Sequence, residues 1–203
     1  MDDNLPSINE AEELLKWAHS KNPGPWLEHS KTVARSAKTI AEKCDLDGEK
    51  AYTLGLLHDI GRYEGITGLK HTLAGYRLMK EKGYGLNAKI CLTHSFPAKL
   101  FRDSIIKNDC TKEEMKIIET LINEFIYDDY DKLIQLCDAI STSEAVCIME
   151  IRLVDVVRRY NQFGSEMLKK WNAFFEIKDY FDKRCQINIY ELFNDEVVKK
   201  SVG

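Results

Sequence analysis

Apolar residues in this chain recur at three- and four-residue intervals and never settle into a sustained alternation. Val33, Ala37, Ile40 and Ala41 mark one such stripe, and Ile117, Ile118, Leu121 and Ile122 mark another. That spacing lines one face of an α-helix, whereas a half-buried strand needs every second residue apolar. A stretch such as Gln186-Ile187-Asn188-Ile189-Tyr190 allows an extended conformation but would not make a sheet alone. The pattern predicts an all-α chain, a bundle of about nine or ten helices with no significant sheet.

Punctuation residues place the helices. Ser7-Ile8-Asn9-Glu10 has capping-box spacing and predicts a first helix that runs to Asn22-Pro23-Gly24-Pro25. The periodicity predicts further helices over 26–44, 49–60, 71–81, 87–94, 111–127, 131–142, 144–160, 164–181 and 191–200, with 61–68 as a glycine-rich loop. No internal repeat or low-complexity linker divides the 203 residues, so one domain is expected over 1–203.

The totals narrow the partners. With 44% hydrophobic and 31% charged residues the chain reads as globular rather than disordered. A net charge of -4 argues against a general surface for a nucleic-acid polymer. No apolar run is long enough to span a bilayer, and the acidic start Met-Asp-Asp-Asn lacks a signal core, so no membrane partner and a cytoplasmic location are expected. Six cysteines at 44, 91, 110, 137, 147 and 185 form no Cys-x-x-Cys and read as buried free thiols of a reducing compartment.

The chemistry lies in polar residues that share faces with apolar ones. His58 continues the stripe Ala51, Leu54, Gly55; His71 opens Ala74, Gly75, Leu78; His94 closes Asn87, Ile90, Cys91; and His29 precedes Val33 and Ala37. Asp138 follows Ile134 by one turn, and Asp59 follows His58 directly. Four of the five histidines therefore point inward, and two carboxylates with them. Buried carboxylates need cations or donors, and those stripes hold too few lysines or arginines to supply them. A divalent metal would satisfy the acids and imidazoles together. Taken singly, each residue has an ordinary explanation: a hydrogen-bonded core histidine, or an aspartate capped by Ser141 or Thr142. The argument is the set.

That set resembles a family. His29, then apolar-His58-Asp59-x-Gly61-Arg62, then Leu136-x-Asp138-Ala139 is similar to the HD-domain metal-dependent phosphohydrolases, over about Trp26 to Ser143. The resemblance implies an HD metal-binding core over about 26–143, with the helices of 144–203 packed on it. It implies one divalent metal on His29, His58, Asp59 and Asp138. His71 and His94 match the added histidines of two-metal subfamilies, where Asp59 would bridge both ions. The Gly-Tyr-Pro signature of the cyclic-di-GMP branch is absent, and Ser95-Phe96-Pro97 follows His94 where a dinucleoside-polyphosphate hydrolase has a glycine. The resemblance thus implies no particular substrate.

The expected activity is hydrolysis of a phosphoester or phosphoanhydride in a phosphorylated small molecule or nucleotide, by metal-activated water. Asp59 and Arg62 are the catalytic candidates, and Arg62 and Lys70 the substrate-binding ones. Mixed imidazole and carboxylate ligands suit Fe, Mn or Zn, with Mg also admissible. A non-catalytic metal- or nucleotide-sensing module and a purely structural helical protein are the competing readings. The segment after Ser143 shows no site of its own; it packs over the core, shapes the substrate cavity or offers a homodimer face. His19 reads as a surface or staple residue, Arg158-Arg159 as solvated, and the aromatics from Tyr160 and Phe163 to Phe181 as core.

Overall fold

In the computed structural model Ser7 opens the first helix, α1 (Ile8–Lys21), through a complete capping box with Glu10. The structure describes residues 4–99, 108–160 and 167–197, with the side chains of 159 and 160 outside that description. The helices that follow are α2 (Trp26–Lys43), α3 (Gly48–Leu57), α4 (Lys70–Glu81), α5 (Gly85–Thr93), α6 (Lys112–Glu124), α7 (Asp129–Ile140), α8 (Met149–Tyr160) and α9 (Met167–Cys185). Among the described residues the only extended pairing is a single antiparallel bridge between Ser141 and Val146. The all-α expectation holds.

Helix α7 is central. Leu133, Ile134, Leu136, Cys137 and Ile140 are fully buried, and a helix apolar on most sides must be surrounded. It packs with Val33, Ala37 and Ile40 of α2, Leu54 of α3, and Phe174, Ile177 and Phe181 of α9 in one cluster. A second cluster joins α1, α2 and α3 through Ala11, Leu15, Trp26, Leu56 and Leu57. A third joins α4, α5 and α6 through Leu73, Leu92, Phe96, Ile118 and Ile122. The aromatics of α9 belong to this packing as expected; Phe163 lies outside the described residues. His19 is a staple, its Nε2 accepting the Gly24 N–H at 3.2 Å beside the Trp26 ring.

Several boundaries differ from the periodicity; α6 ends at Glu124 rather than Tyr127, and α9 runs on to Cys185 rather than Phe181. Helix α3 stops at Leu57, and a 3-10 turn over Ile60–Glu64 replaces part of the expected loop. Helix α8 starts at Met149 rather than Glu144, because Thr142 captures the local backbone: its Oγ1 accepts from the amides of Glu144 and Ala145. The expected helix over 191–200 is a 3-10 turn at Ile189–Phe193 with helical residues to 197; 198–200 lie outside the described residues.

The cysteine reading needs correction. Cys44 and Cys185 form a disulfide, with Cα atoms 4.7 Å apart across 141 residues of sequence. Each closes the apolar stripe of its helix, α2 or α9, and both stripes enter the same core cluster. Cys91, Cys137 and Cys147 are buried thiols outside any disulfide, and Cys110 is a partly buried one. No helix among the described residues is long and apolar enough to cross a membrane.

Candidate metal centre

Two glycines allow the elements that carry the site to touch. A Cβ at Gly55 would lie 2.9 Å from Ala34 Cα, so α3 presses directly on the backbone of α2. This brings the His58 ring to 5.3 Å from that of His29. At Gly61 a Cβ would fall 1.9 Å from the His71 carbonyl oxygen. Gly61 therefore serves close approach of the 3-10 turn to α4, rather than the turning of the chain that its position after His58-Asp59 suggests. That approach sets Asp59 against His71.

All six expected ligands converge. His58, Asp59, His71 and His94 are at most 3% exposed, and His29 is 8% exposed. Asp59 Oδ1 lies 3.1 Å from His71 Nε2 and 3.6 Å from His94 Nε2, and Asp59 Oδ2 lies 3.9 Å from His58 Nε2. His29 Nε2 donates to Asp138 Oδ1 at 3.0 Å. Three sets place one donor atom per residue within 4.8 Å of one another: His29, His58 and Asp59; Asp59, His71 and His94; His58, His94 and Asp138.

The far nitrogen of each inner ring fixes its tautomer. His58 Nδ1–H donates to the Gly55 carbonyl at 2.7 Å, His71 Nδ1–H to that of Gly68 at 2.5 Å, and His94 Nδ1–H to that of Ile90 at 3.1 Å. A carbonyl only accepts, so these nitrogens carry protons, and in the neutral ring each Nε2 presents its lone pair to the centre. Burial, with His58 nearby, pushes His94 down to about 3, so its ring is neutral. Burial also pushes Asp59 and Asp138 up, but neighbouring charges outweigh it. Arg62 foremost holds Asp59 well below the ordinary carboxylate range, and the hydrogen bond from His29 does the same for Asp138. The result is a buried knot of acceptors. His58 Nε2 and Asp59 Oδ1 have no hydrogen-bond partner, which is the arrangement a cation completes.

Cations from the protein do reach both acids, contrary to the count along the stripes. Arg62 Nε donates to Asp59 Oδ2 at 2.5 Å, and Arg152 Nη2 of α8 stands 3.8 Å from Asp138 Oδ1. A cavity of about 390 Å³ opens over the cluster, and Arg62, Arg152, Lys170 and Phe174 line it beside the ligands. Lys70 is not among its lining; its Nζ lies 3.7 Å from Glu114 and the side chain is 39% exposed. Sequence reasoning missed Arg152 and Lys170. Lys170 had a signal: it precedes Phe174, Ile177 and Phe181 on one apolar stripe of α9. A second missed group is the buried network under His94, where Asp131 accepts from Lys89 Nζ at 2.5 Å and from Thr93 Oγ1 at 2.7 Å. Gln135 adds a bond to the Thr93 carbonyl at 2.8 Å, so α7 holds the end of α5 that presents His94.

Comparison with known proteins supplies a family. The chain is similar to a ribonuclease Y of Chlorobaculum tepidum, 42% identical over 55 residues, which is 27% of this chain and 10% of that protein. The match thus spans about a tenth of the relative's length. No solved structure matches the chain. The model of the family described as HD domain matches residues 26–143, more than half of the chain and the segment that carries all six converging residues. The chain therefore belongs to the HD domain family, a superfamily of metal-dependent phosphohydrolases.

Proposed function

We propose that this protein is a metal-dependent hydrolase of a phosphoester or phosphoanhydride bond in a nucleotide-like small molecule. The observation that carries the reading is the buried set of bare acceptors, His58 Nε2, His71 Nε2, His94 Nε2 and Asp59 Oδ1, facing one another without donors. Asp59 belongs to two of the three ligand sets, so it would be shared between two ions. His29 and His58 would complete one ion's set with Asp138 nearby, and His71 and His94 the other's. Divalent ions held there supply Lewis acidity, lowering the pKa of water and neutralising phosphoryl charge.

The chain's own groups do the rest. Asp59 and Asp138 are held ionised and present oxygens without first losing a proton. Asp59 anchors the Arg62 guanidinium at the cavity wall, where it binds a phosphoryl oxygen. Trp26, Leu153, Val156 and Phe174 give the cavity an apolar side that receives the organic part of the substrate and excludes water. Ribonuclease Y acts on RNA by its name, but a cavity of about 390 Å³ in a chain of net charge -4 favours a small molecule over a polymer.

Elemental analysis of the purified protein, joined to a turnover screen of nucleotides and phosphate esters with Mn, Fe, Zn or Mg, tests this. Bound transition metal and turnover of at least one small phosphate compound are expected. Metal and nucleotide binding without turnover in any metal would replace the hydrolase by a sensing module.

A further inference from the structure

Lys170 is buried at 4% exposure, yet its ammonium makes one hydrogen bond, to the Ser95 carbonyl at 2.8 Å. Among the described residues no carboxylate lies within ion-pairing distance of it. Asp138 acts on it from beyond that distance, but an ammonium has three donors, and burying it without a paired anion is costly. Arg152 is loosely held in the same cavity. Its Nη2 is 3.8 Å from Asp138 and its Nη1 3.5 Å from Asp155, both long for hydrogen bonds, and its Nε is buried without a partner.

These cations line one cavity with the candidate ligands, each held at a different residue. Arg62 stands at Asp59, Arg152 at Asp138, and Lys170 at Ser95 next to His94. Arg152 and Lys170 come from α8 and α9, beyond the segment that the HD family model covers. An internal phosphodiester brings a single negative charge and two free oxygens. A terminal phosphate brings between one and two charges at neutral pH and three acceptor oxygens, which suits three convergent cations.

We propose that Lys170 and Arg152 form an anion subsite for a terminal phosphate, so that the substrate class is a small phosphomonoester or nucleoside polyphosphate rather than a phosphodiester. The substrate assignment rests on the hydrolase reading above; the anion subsite does not. The opposing explanation is that Lys170 is a strut tying α9 to the turn after α5 through Ser95.

Orthophosphate is the probe. Metal-loaded wild type, K170M, K170R and R152M are titrated with it by calorimetry, with metal content measured in each. Turnover of p-nitrophenyl phosphate and of a nucleoside triphosphate is compared with that of bis(p-nitrophenyl) phosphate. K170M and R152M should each weaken orthophosphate binding by about tenfold or more at unchanged metal stoichiometry, as loss of a charged hydrogen bond requires. K170R should restore most of the affinity. Monoester kcat/KM should fall in both neutral variants much more than diester kcat/KM. Wild-type phosphate affinity in metal-replete K170M overturns the subsite; should K170M fail to fold, the same result in R152M overturns it. A wild-type enzyme that cleaves the diester but neither the monoester nor the nucleoside triphosphate overturns the substrate class. Lysine-dependent phosphate binding with no turnover of any ester or nucleoside polyphosphate supports the subsite while removing the hydrolase reading.

Discussion

His71 Nε2 and His94 Nε2 face each other at 3.3 Å, and each ring spends its proton on a backbone carbonyl behind it. Two imidazole lone pairs at that distance repel unless a cation lies against them. The contact joins α4 to α5, so whatever relieves it also ties two helices together.

Metal removal should therefore loosen the fold as well as the site. A ligand that binds only the native state adds about 2.7 kcal/mol at a hundredfold excess over its Kd. Chelator treatment should lower the melting temperature by several degrees, and Mn or Zn should restore it. His94→Ala should reduce bound metal by about one ion if two are held. Melting curves paired with elemental analysis check both; an unchanged stoichiometry would confine the site to one metal.

Asp59 is shared by two ligand sets and also anchors Arg62. Asp59→Ala should abolish turnover and weaken metal binding throughout the cluster. Arg62→Ala should spare metal content and reduce kcat/KM by roughly a hundredfold, the scale for losing a group that stabilises developing phosphoryl charge. Kinetics together with metal content in the two variants separate these roles, and loss of metal in the arginine variant would reassign Arg62 to holding Asp59.

Helical periodicity made the bundle and the inward histidines legible, because burial on one face repeats with the helix period whatever the partner is. The partner is what periodicity leaves out. Arg152 and Lys170 reach the cavity from helices more than 90 residues after His58, and nothing in local spacing announces a cross-bundle contact. Lys170 on the stripe of Phe174 and Ile177 was the one visible sign. The late start of α8 was hidden because Thr142 competes for backbone amides through its hydroxyl, an effect that apolar periodicity does not encode.

Gly61 gives a sharper test of how the site is positioned. A methyl group there meets the His71 carbonyl at 1.9 Å and the Gly75 amide at 2.4 Å, both backbone atoms that cannot rotate away. Gly61→Ala should lift the 3-10 turn from α4 and cost on the order of 1–3 kcal/mol or more. Because Asp59 rides on that turn, metal binding should fall with it. Urea denaturation and metal titration of the variant measure the two effects separately.

Asp131 is fully buried and takes the Lys89 ammonium, the Thr93 hydroxyl and the Asp128 amide. Asp131→Ala leaves Lys89 charged and nearly buried with only the longer contact to Asp128 at 3.3 Å. Breaking a buried pair in this way costs about 3–5 kcal/mol. The double variant with Lys89→Met should recover part of that loss, since the stranded charge is gone. A denaturation cycle over the four proteins gives the coupling, and an unimproved double variant would show that the cost came from Thr93 and the end of α5 instead.

The Cys44–Cys185 bond ties the end of α2, which begins near His29, to the end of α9, which carries Lys170. It closes a loop of 141 residues, so cross-linking restricts the unfolded chain over most of its length. Reduction, or Cys185→Ser, should lower stability by about 2–4 kcal/mol. Both cysteines are nearly inaccessible, at 3% and 4% exposure, so reduction should be slow in the native protein and fast in denaturant. Mass spectrometry of the alkylated protein counts the thiols: the bond predicts that two of the six cysteines stay unmodified until reductant is added. Alkylation of all six in denaturant alone would remove the cross-link from the fold.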